Sequence, residues 1–219
     1  MRAVTGATRP AQAGFGAVLG RLAQHASARL SIAFGGIPMK IVTIGSGNVG
    51  GGLAALWRNA GHQVTELGRG GGDASGAEVV VVAVPGPAIS AALSTVTGLA
   101  GKIAVDATNA FPSRNEAFPS LAEEVKSFTG GPVAKSFNLN FAVLYDQIAA
   151  QRVRPSSFYV ADDGAREITE QLITDAGYDP VPIGGLDRAR ALEDLTWLLS
   201  AAMKDGAPVF YRFSVPGQL

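Results

Sequence analysis

The residues whose types and spacing could do chemistry begin at Gly45. Gly45-Ser46-Gly47-Asn48-Val49-Gly50 fits G-x-G-x-x-G, follows the short apolar run Ile41-Val42-Thr43-Ile44 and opens an amphipathic stretch. In that setting each glycine has a separate task. Gly45 permits a tight turn, Gly47 leaves room for backbone to approach a pyrophosphate, and Gly50 lets a helix pack close to its strand. The free N–H groups and partial positive charge of the helix N-terminus would then face phosphate. The competing reading is a glycine-rich turn without ligand. Gly50-Gly51-Gly52 weighs against it, because a glycine inside a helix costs about 1 kcal/mol relative to alanine. A second strand ends near Leu67. Glu66 stands near the position where an acid would bind ribose hydroxyls, but alternation sends Glu66 and Leu67 to opposite faces. Gly68 and Arg69 follow, and the planar fork of Arg69 suits a 2′-phosphate. A solvated loop arginine is the alternative; the balance favours NADP over NAD.

Few other groups can act as acids, bases or nucleophiles. The chain has no cysteine, which excludes disulfides, thiolate metal sites and a thiol nucleophile. Of its two histidines, His62 sits in a Gly-His turn and reads as structural, and His25 lies in the leader. A dehydrogenase using histidine as general base therefore has no candidate. G-x-S-x-G, H-E-x-x-H and C-x-x-C are absent. Asp162-Asp163-Gly164 reads as a turn and helix start, and Asp106 as the cap of a turn after its strand. What remains is chemistry carried by a cofactor, to which the protein adds proximity and orientation. Lys135, Asn138 and Asn140 are candidates for holding a small-molecule redox acceptor. Lys135 would pair an anionic tail or else be solvated. The two asparagines would hydrogen-bond a carbonyl or else end a strand as turn residues.

These residues must be positioned by a regular frame. Short apolar runs at Ile41–Ile44, Gln63–Leu67, Glu78–Val84, Ile103–Asp106, Val133–Phe137, Ser157–Ala161 and Pro180–Ile183 predict strands. Val79-Val80-Val81-Val82 is continuously β-branched, as in a parallel strand covered on both faces. Helices are expected near Val49–Ala60, Pro87–Val96, Asn115–Phe128, Ala165–Ala176 and Leu186–Met203. In the last, Leu186, Ala189, Leu192, Leu195, Leu199 and Ala202 form a stripe at three- and four-residue steps. This alternation predicts a Rossmann-type, doubly wound, mostly parallel α/β sheet with helices on both faces, a single domain over 39–219 with a C-terminal helical extension. Gly70–Gly76 reads as a flexible loop, and Phe210-Tyr211-Arg212-Phe213 as an edge strand or subunit contact, so a homodimer is possible.

The 219 residues, 47% apolar, carry zero formal charge. That balance argues against a nucleic-acid partner. All 18 acids lie at or beyond Glu66, whereas residues 1–38 hold four arginines and no acid. The 1–38 leader reads as a disordered or misassigned start, with Met39 opening the first strand; an organellar targeting segment is the second reading, and secretion is disfavoured by its interrupted apolar core. No apolar run approaches the roughly 18 residues of a membrane span. A cytoplasmic protein is expected.

Three later segments add specificity. Val80-Val81-Val82-Ala83-Val84-Pro85, Val105-Asp106-Ala107-Thr108-Asn109 and Val133-Ala134-Lys135-Ser136-Phe137-Asn138 follow the glycine turn in order. Together they resemble the deazaflavin-dependent NADP oxidoreductases, whose partner is coenzyme F(420), and the wider NAD(P)-binding family around them. The likeness covers essentially all of 39–219. It implies hydride transfer between NADPH and a deazaflavin or flavin-like acceptor. It also implies that Val84 and Pro85 run beside the nicotinamide half and that Thr108-Asn109 lies where the acceptor enters. A non-catalytic NAD(P)-binding sensor is the alternative. The sequence departs from the family at Arg69–Ala77, nine residues where a helix and a short strand are usual, and at Ala110-Phe111, where proline is frequent.

Overall fold

Alternate residues of the central strands face two different cores, and the layering follows from that. The computed structural model describes residues 37–217. Val79 and Val81 enter one core with Ile41, Leu53 and Trp57, while Val80 and Val82 enter the other with Val42, Leu93 and Leu121. A strand buried on both faces favours apolar residues at successive positions, and all four valines are fully buried.

The elements in chain order are β1 (Lys40–Ile44), α1 (Asn48–Asn59), β2 (Gln63–Leu67), β3 (Gly72–Asp73), β4 (Val79–Val82), α2 (Ile89–Leu93), β5 (Val96–Thr97), β6 (Ile103–Asp106), α3 (Leu121–Thr129), β7 (Val133–Ser136), β8 (Ser156–Ala161), α4 (Asp163–Asp175), β9 (Asp179–Gly184) and α5 (Ala189–Ala202). Seven strands form one sheet in the order β2-β1-β4-β6-β7-β8-β9. All neighbours are parallel except β7 and β8, which run antiparallel. The chain moves from β1 outward to β2, then returns to the other side of β1 as β4. This reversal opens a crevice at the carboxyl ends of β1 and β4. Residues of α1 and α4 join the core on one face of the sheet, and residues of α2, α3 and α5 join that on the other. The doubly wound, mostly parallel α/β domain expected from the sequence is the one observed.

Four local readings change. Gly70–Gly76 is tied down: Gly72–Asp73 pairs in parallel with Val96–Thr97, and Thr97 and Ser75 donate to Asp73. The helix expected from Asn115 starts at Leu121, because the Ser120 hydroxyl accepts from the Glu123 N–H and caps it; Ser120-Leu121-Ala122-Glu123 carried that signal. The helix expected over Pro87–Val96 is a 3-10 turn, Gly86–Ala88, followed by the short α2. Ala142–Ala150, to which no element was assigned, is a 3-10 segment whose Tyr145 packs under α1. A Cβ at Gly52 would lie 2.5 Å from the Tyr145 ring, so this helix glycine serves packing.

The 210–213 tail is not a strand. It runs beside β8, where Tyr211 O accepts from Ser156 N–H at 2.8 Å and Phe158 contacts the Tyr211 and Phe213 rings. The readings of the leader concern residues that, up to Gly36, lie outside those described. Among the described residues no helix is long and apolar enough to cross a membrane.

Candidate dinucleotide-binding site

The glycine turn is fixed from both sides. The Gly45 N–H donates to Leu67 O at 2.8 Å, and the Ala83 N–H donates to Ile44 O at 2.8 Å, which ties the turn to the ends of β2 and β4. Gly45 has φ +104°, a left-handed conformation that side chains disfavour, and a Cβ there would overlap Ala83 O. A Cβ at Gly50 would overlap Gly45 O, so α1 approaches its own turn as closely as backbone allows. Gly47 differs: a Cβ there meets nothing within 4 Å. Two of the motif's glycines are thus required by the protein itself, and the third faces open space.

That open space is a cleft of about 620 Å³ at the sheet's reversal, within the usual range of ligand sites. Gly45, Ser46, Gly47, Gly68, Arg69, Val84 and Pro85 line it, with Ala88, Ala91, Ala92 and Thr95 along one wall. The α1 N-terminus carries no side-chain cap and no acid in its first turn. Its first N–H groups have no partner inside the helix and are available to an anion. Arg69 is exposed at the rim and forms no hydrogen bond or ion pair among the described residues. Glu66, by contrast, accepts from Arg58 at 2.7 Å and lies beside α1, where a Cβ on Gly51 would be 3.4 Å from its Oε2. Among the described residues, the cation at this rim is free and the acid is engaged. An open backbone cradle, an uncapped helix and an unpaired arginine fit a phosphorylated dinucleotide.

The wall that the short Arg69–Ala77 segment could not supply as a helix is built otherwise. The β3–β5 pair clips the segment against the end of α2, bringing Gly68 and Arg69 opposite Thr95. Hydrogen bonds from Ser75 hold the Asp73 carboxyl below the usual carboxylate range and keep it ionised within the clip.

The remaining candidates divide differently from the expectation. Asn48 opens α1, and Gly50 is buried beneath it. Val49 and Asn109 line a second, smaller cavity over the ends of β6 and β7, not the main cleft. Asn109 donates to Asn138 O at 2.8 Å and accepts from Thr196 at 2.9 Å, so its amide braces the carboxyl edge against α5. Asn140 donates to Ser156 O and accepts from Ser157, which commits it to the start of β8. Asn138 lines the second cavity, and its amide nitrogen donates to Leu192 O at 3.1 Å.

Lys135 requires correction. Its ammonium is neither solvated nor free for an anionic tail: it is fully buried, 2.6 Å from Asp106 Oδ2, 3.0 Å from Thr108 O and 3.4 Å from Glu193 Oε1. Glu193 also accepts from Arg114 at 2.9 Å and from the Leu121 N–H at 2.8 Å. Burial pushes the Glu193 carboxyl up, against the opposing pull of Lys135. This cluster pins α5 to β6, β7 and the start of α3. The stripe read on α5 missed it, because Glu193 occupies a buried position beside Leu192. Asp106 does cap its turn, accepting from the Thr108 N–H at 2.8 Å. His62 is structural: Nδ1 accepts from the Met39 N–H, and Nε2 pairs with Asp175 at 2.9 Å.

No protein-family profile matches the chain, and no curated protein matches it. Solved structures do. A protein from Arthrobacter sp. FB24, provisionally assigned as an F420-dependent NADP reductase, is 26% identical with a TM-score of 0.68, over 81% of this chain and 100% of that one. A hypothetical protein from Sinorhizobium meliloti is 24% identical with a TM-score of 0.53, over 68% of this chain and 86% of that one. An imine reductase from Aspergillus terreus, in complex with NADPH4, is 16% identical with a TM-score of 0.56, over 76% and 61%. Sheet order, crevice and glycine turn define a Rossmann-type dinucleotide-binding fold. Within that class the chain resembles the F420-dependent NADP reductases, as its sequence segments implied.

Proposed function

We propose that the chain is an NADP-dependent oxidoreductase that moves a hydride between NADPH and a deazaflavin or flavin-like acceptor at the carboxyl edge of the sheet. The observation that carries the reading is the cleft at the β1/β4 reversal, with its open Gly47 cradle, uncapped α1 and unpaired Arg69. The α1 N–H groups would receive the pyrophosphate and Arg69 the 2′-phosphate. Val84 and Pro85 would support the nicotinamide half, which, when bound, supplies a hydride. Similarity to the provisionally assigned F420-dependent NADP reductase supports this choice of acceptor.

The lining of both cavities limits what the chain itself can contribute. Among the described residues lining either one, Arg69 is the only ionisable side chain. A carbonyl reduced to an alkoxide would find no proton donor there. An acceptor that delocalises the added electron pair and takes its proton from solvent needs none. The protein's part is binding and orientation. Purified protein should oxidise NADPH in the presence of 5-deazariboflavin or riboflavin. Saturable NADPH binding without oxidation in the presence of either would favour the sensor reading instead, and absence of NADPH binding would dispose of both.

A further inference from the structure

The outer face of α5 is apolar where a surface helix is usually charged. At about 3.6 residues per turn, Leu192, Thr196 and Leu199 share one side, and Thr196, Leu199 and Ser200 line the second cavity. The opposite stripe is Asp194, Trp197, Leu198 and Ala201, at three- and four-residue steps. Its first half is polar: Arg190 pairs with Glu116 at 3.3 Å and with Asp194 at 3.7 Å. From Leu195 to Met203 the sequence carries no charge. Among the described residues, Trp197 is nevertheless 54% and Leu198 66% exposed, and Ala201 and Ala202 are exposed beside them. A helical turn without charge on any side is ordinarily buried.

This patch shares a wall with the cavity. The Trp197 ring packs edge-on against Phe111, with centroids 4.5 Å apart. Phe111 lines the cavity and is itself partly exposed. Together Trp197, Leu198, Phe111, Ala201 and Ala202 offer roughly 300–400 Å² of apolar surface, the size of the largest patches on monomers, which are often functional.

The margin of the patch says what kind of surface would cover it. Arg114, Arg190, Glu116 and Asp194 meet at its polar end, two residues of each sign joined in ion pairs. A face for nucleic acid or an anionic membrane would carry a basic surplus. A margin of both signs suits a second copy of the same chain, because a two-fold axis brings the same patch against itself. The order of side-chain sizes agrees. With two α5 helices antiparallel about an axis between Leu198 and Ala201, Trp197 and Leu198 of each copy lie over Ala202 and Ala201 of the other. Large then meets small, which lets the axes approach to about 8–10 Å. Two such patches with their margins reach about 1,200 Å², the lower end of specific interfaces.

We propose that the chain forms a two-fold dimer through the outer face of α5, centred on Trp197 and Leu198, and that the partner copy covers the Phe111 wall of the second cavity. The 210–213 tail, whose Tyr211 is engaged with β8, stays outside this contact.

Sedimentation equilibrium of the full-length protein from about 1 to 100 µM should show the mass rising from one chain towards two, as an interface of this size is dissociable. Trp57 is fully buried, so a shift of tryptophan emission to shorter wavelength over the same range reports the covering of Trp197. Leu198→Glu and Leu198→Lys each set like charges face to face near the axis. Each alone should remain monomeric with an unchanged circular dichroism spectrum, and an equimolar mixture should restore a dimer holding one of each. Val215→Glu, at an exposed apolar residue off the patch, should dimerise as wild type does. A wild type that stays monomeric overturns the proposal, and if that monomer floats with phosphatidylcholine vesicles the patch belongs to a lipid surface. A dimer that survives both Leu198 variants, forms without the emission shift, is abolished equally by Val215→Glu, or is not restored by mixing overturns it as well.

Discussion

Replacing Lys135 with methionine removes one cation from a buried site that holds two carboxylates. Lys135, Asp106 and Glu193 are all fully buried at their side chains, and the ammonium lies 2.6 Å from one carboxylate and 3.4 Å from the other. Methionine keeps the apolar stem and deletes the charge. Arg114 still faces Glu193 at 2.9 Å, but Asp106 loses its salt-bridge partner. Breaking a buried pair from one side costs about 3–5 kcal/mol, because the remaining charge is stranded in low dielectric. A domain of this size shifts in melting temperature by about 2–4 °C per kcal/mol, so the variant should melt roughly 6–20 °C lower.

The pH dependence has a defined sign. In the variant the Glu193 carboxyl loses the pull of Lys135 that opposes its burial, so its folded pKa lies above its unfolded one and the folded state binds the proton more tightly. The deficit is therefore full above the folded pKa and shrinks as pH falls through it towards the unfolded value. Glu193 moves in this direction already in wild type, its carboxyl raised by burial. Calorimetry or circular dichroism melts across acid and neutral pH measure both effects. The triple replacement Lys135→Met, Asp106→Asn, Glu193→Gln, which leaves no carboxylate stranded, should recover much of the loss. A Lys135→Met variant melting within about 2 °C of wild type at neutral pH would refute the reasoning, since only a solvated lysine could be lost so cheaply.

The two motif glycines that differ in surroundings should differ in phenotype. Gly50→Ala drives a methyl into Gly45 O and should cost about 1–3 kcal/mol of stability, read by denaturant melts. Gly47→Ala has free space and an ordinary φ of −78°, so its stability should change by less than about 1 kcal/mol while NADPH affinity falls, because the methyl occupies the phosphate cradle. The Asp73 carboxyl, held low by Ser75, supports the β3–β5 clip in its ionised form. That support is complete above the unfolded value of 3.8 and is lost as pH falls through the lower folded one. Melts of wild type and Asp73→Asn should therefore converge on acidification.

How far the sequence could be read depended on the range over which each constraint acts. The glycine turn was legible because Gly45 and Gly50 answer to steric demands within one strand–turn–helix unit. The Val79–Val82 strand was legible because all four of its buried positions are valine, an unbroken β-branched run. Lys135 was not, since its meaning depends on Asp106, 29 residues earlier, and on a glutamate in the last helix. A lysine beside a strand end looks solvated until the acids that surround it are placed. The β3–β5 clip escaped notice for a related reason: two-residue strands carry no periodicity, and the glycines that mark them also mark flexible loops. Asn138 reads in the sequence as a polar group beside a strand end, and the distinction between its committed nitrogen and its oxygen, unpaired among the described residues, exists only in three dimensions.

Binding of a 2′-phosphorylated dinucleotide by Arg69 and the α1 turn is open to direct measurement by paired titrations of NADPH and NADH into wild type and Arg69→Ala. Wild type should prefer NADPH. Arg69→Ala should weaken NADPH by roughly 10- to 100-fold, the worth of about 1.5–3 kcal/mol for a charged hydrogen-bonded pair, and leave NADH nearly unchanged. Equal affinities for the two nucleotides in wild type, or a preference for NADPH that survives the loss of Arg69, would contradict it.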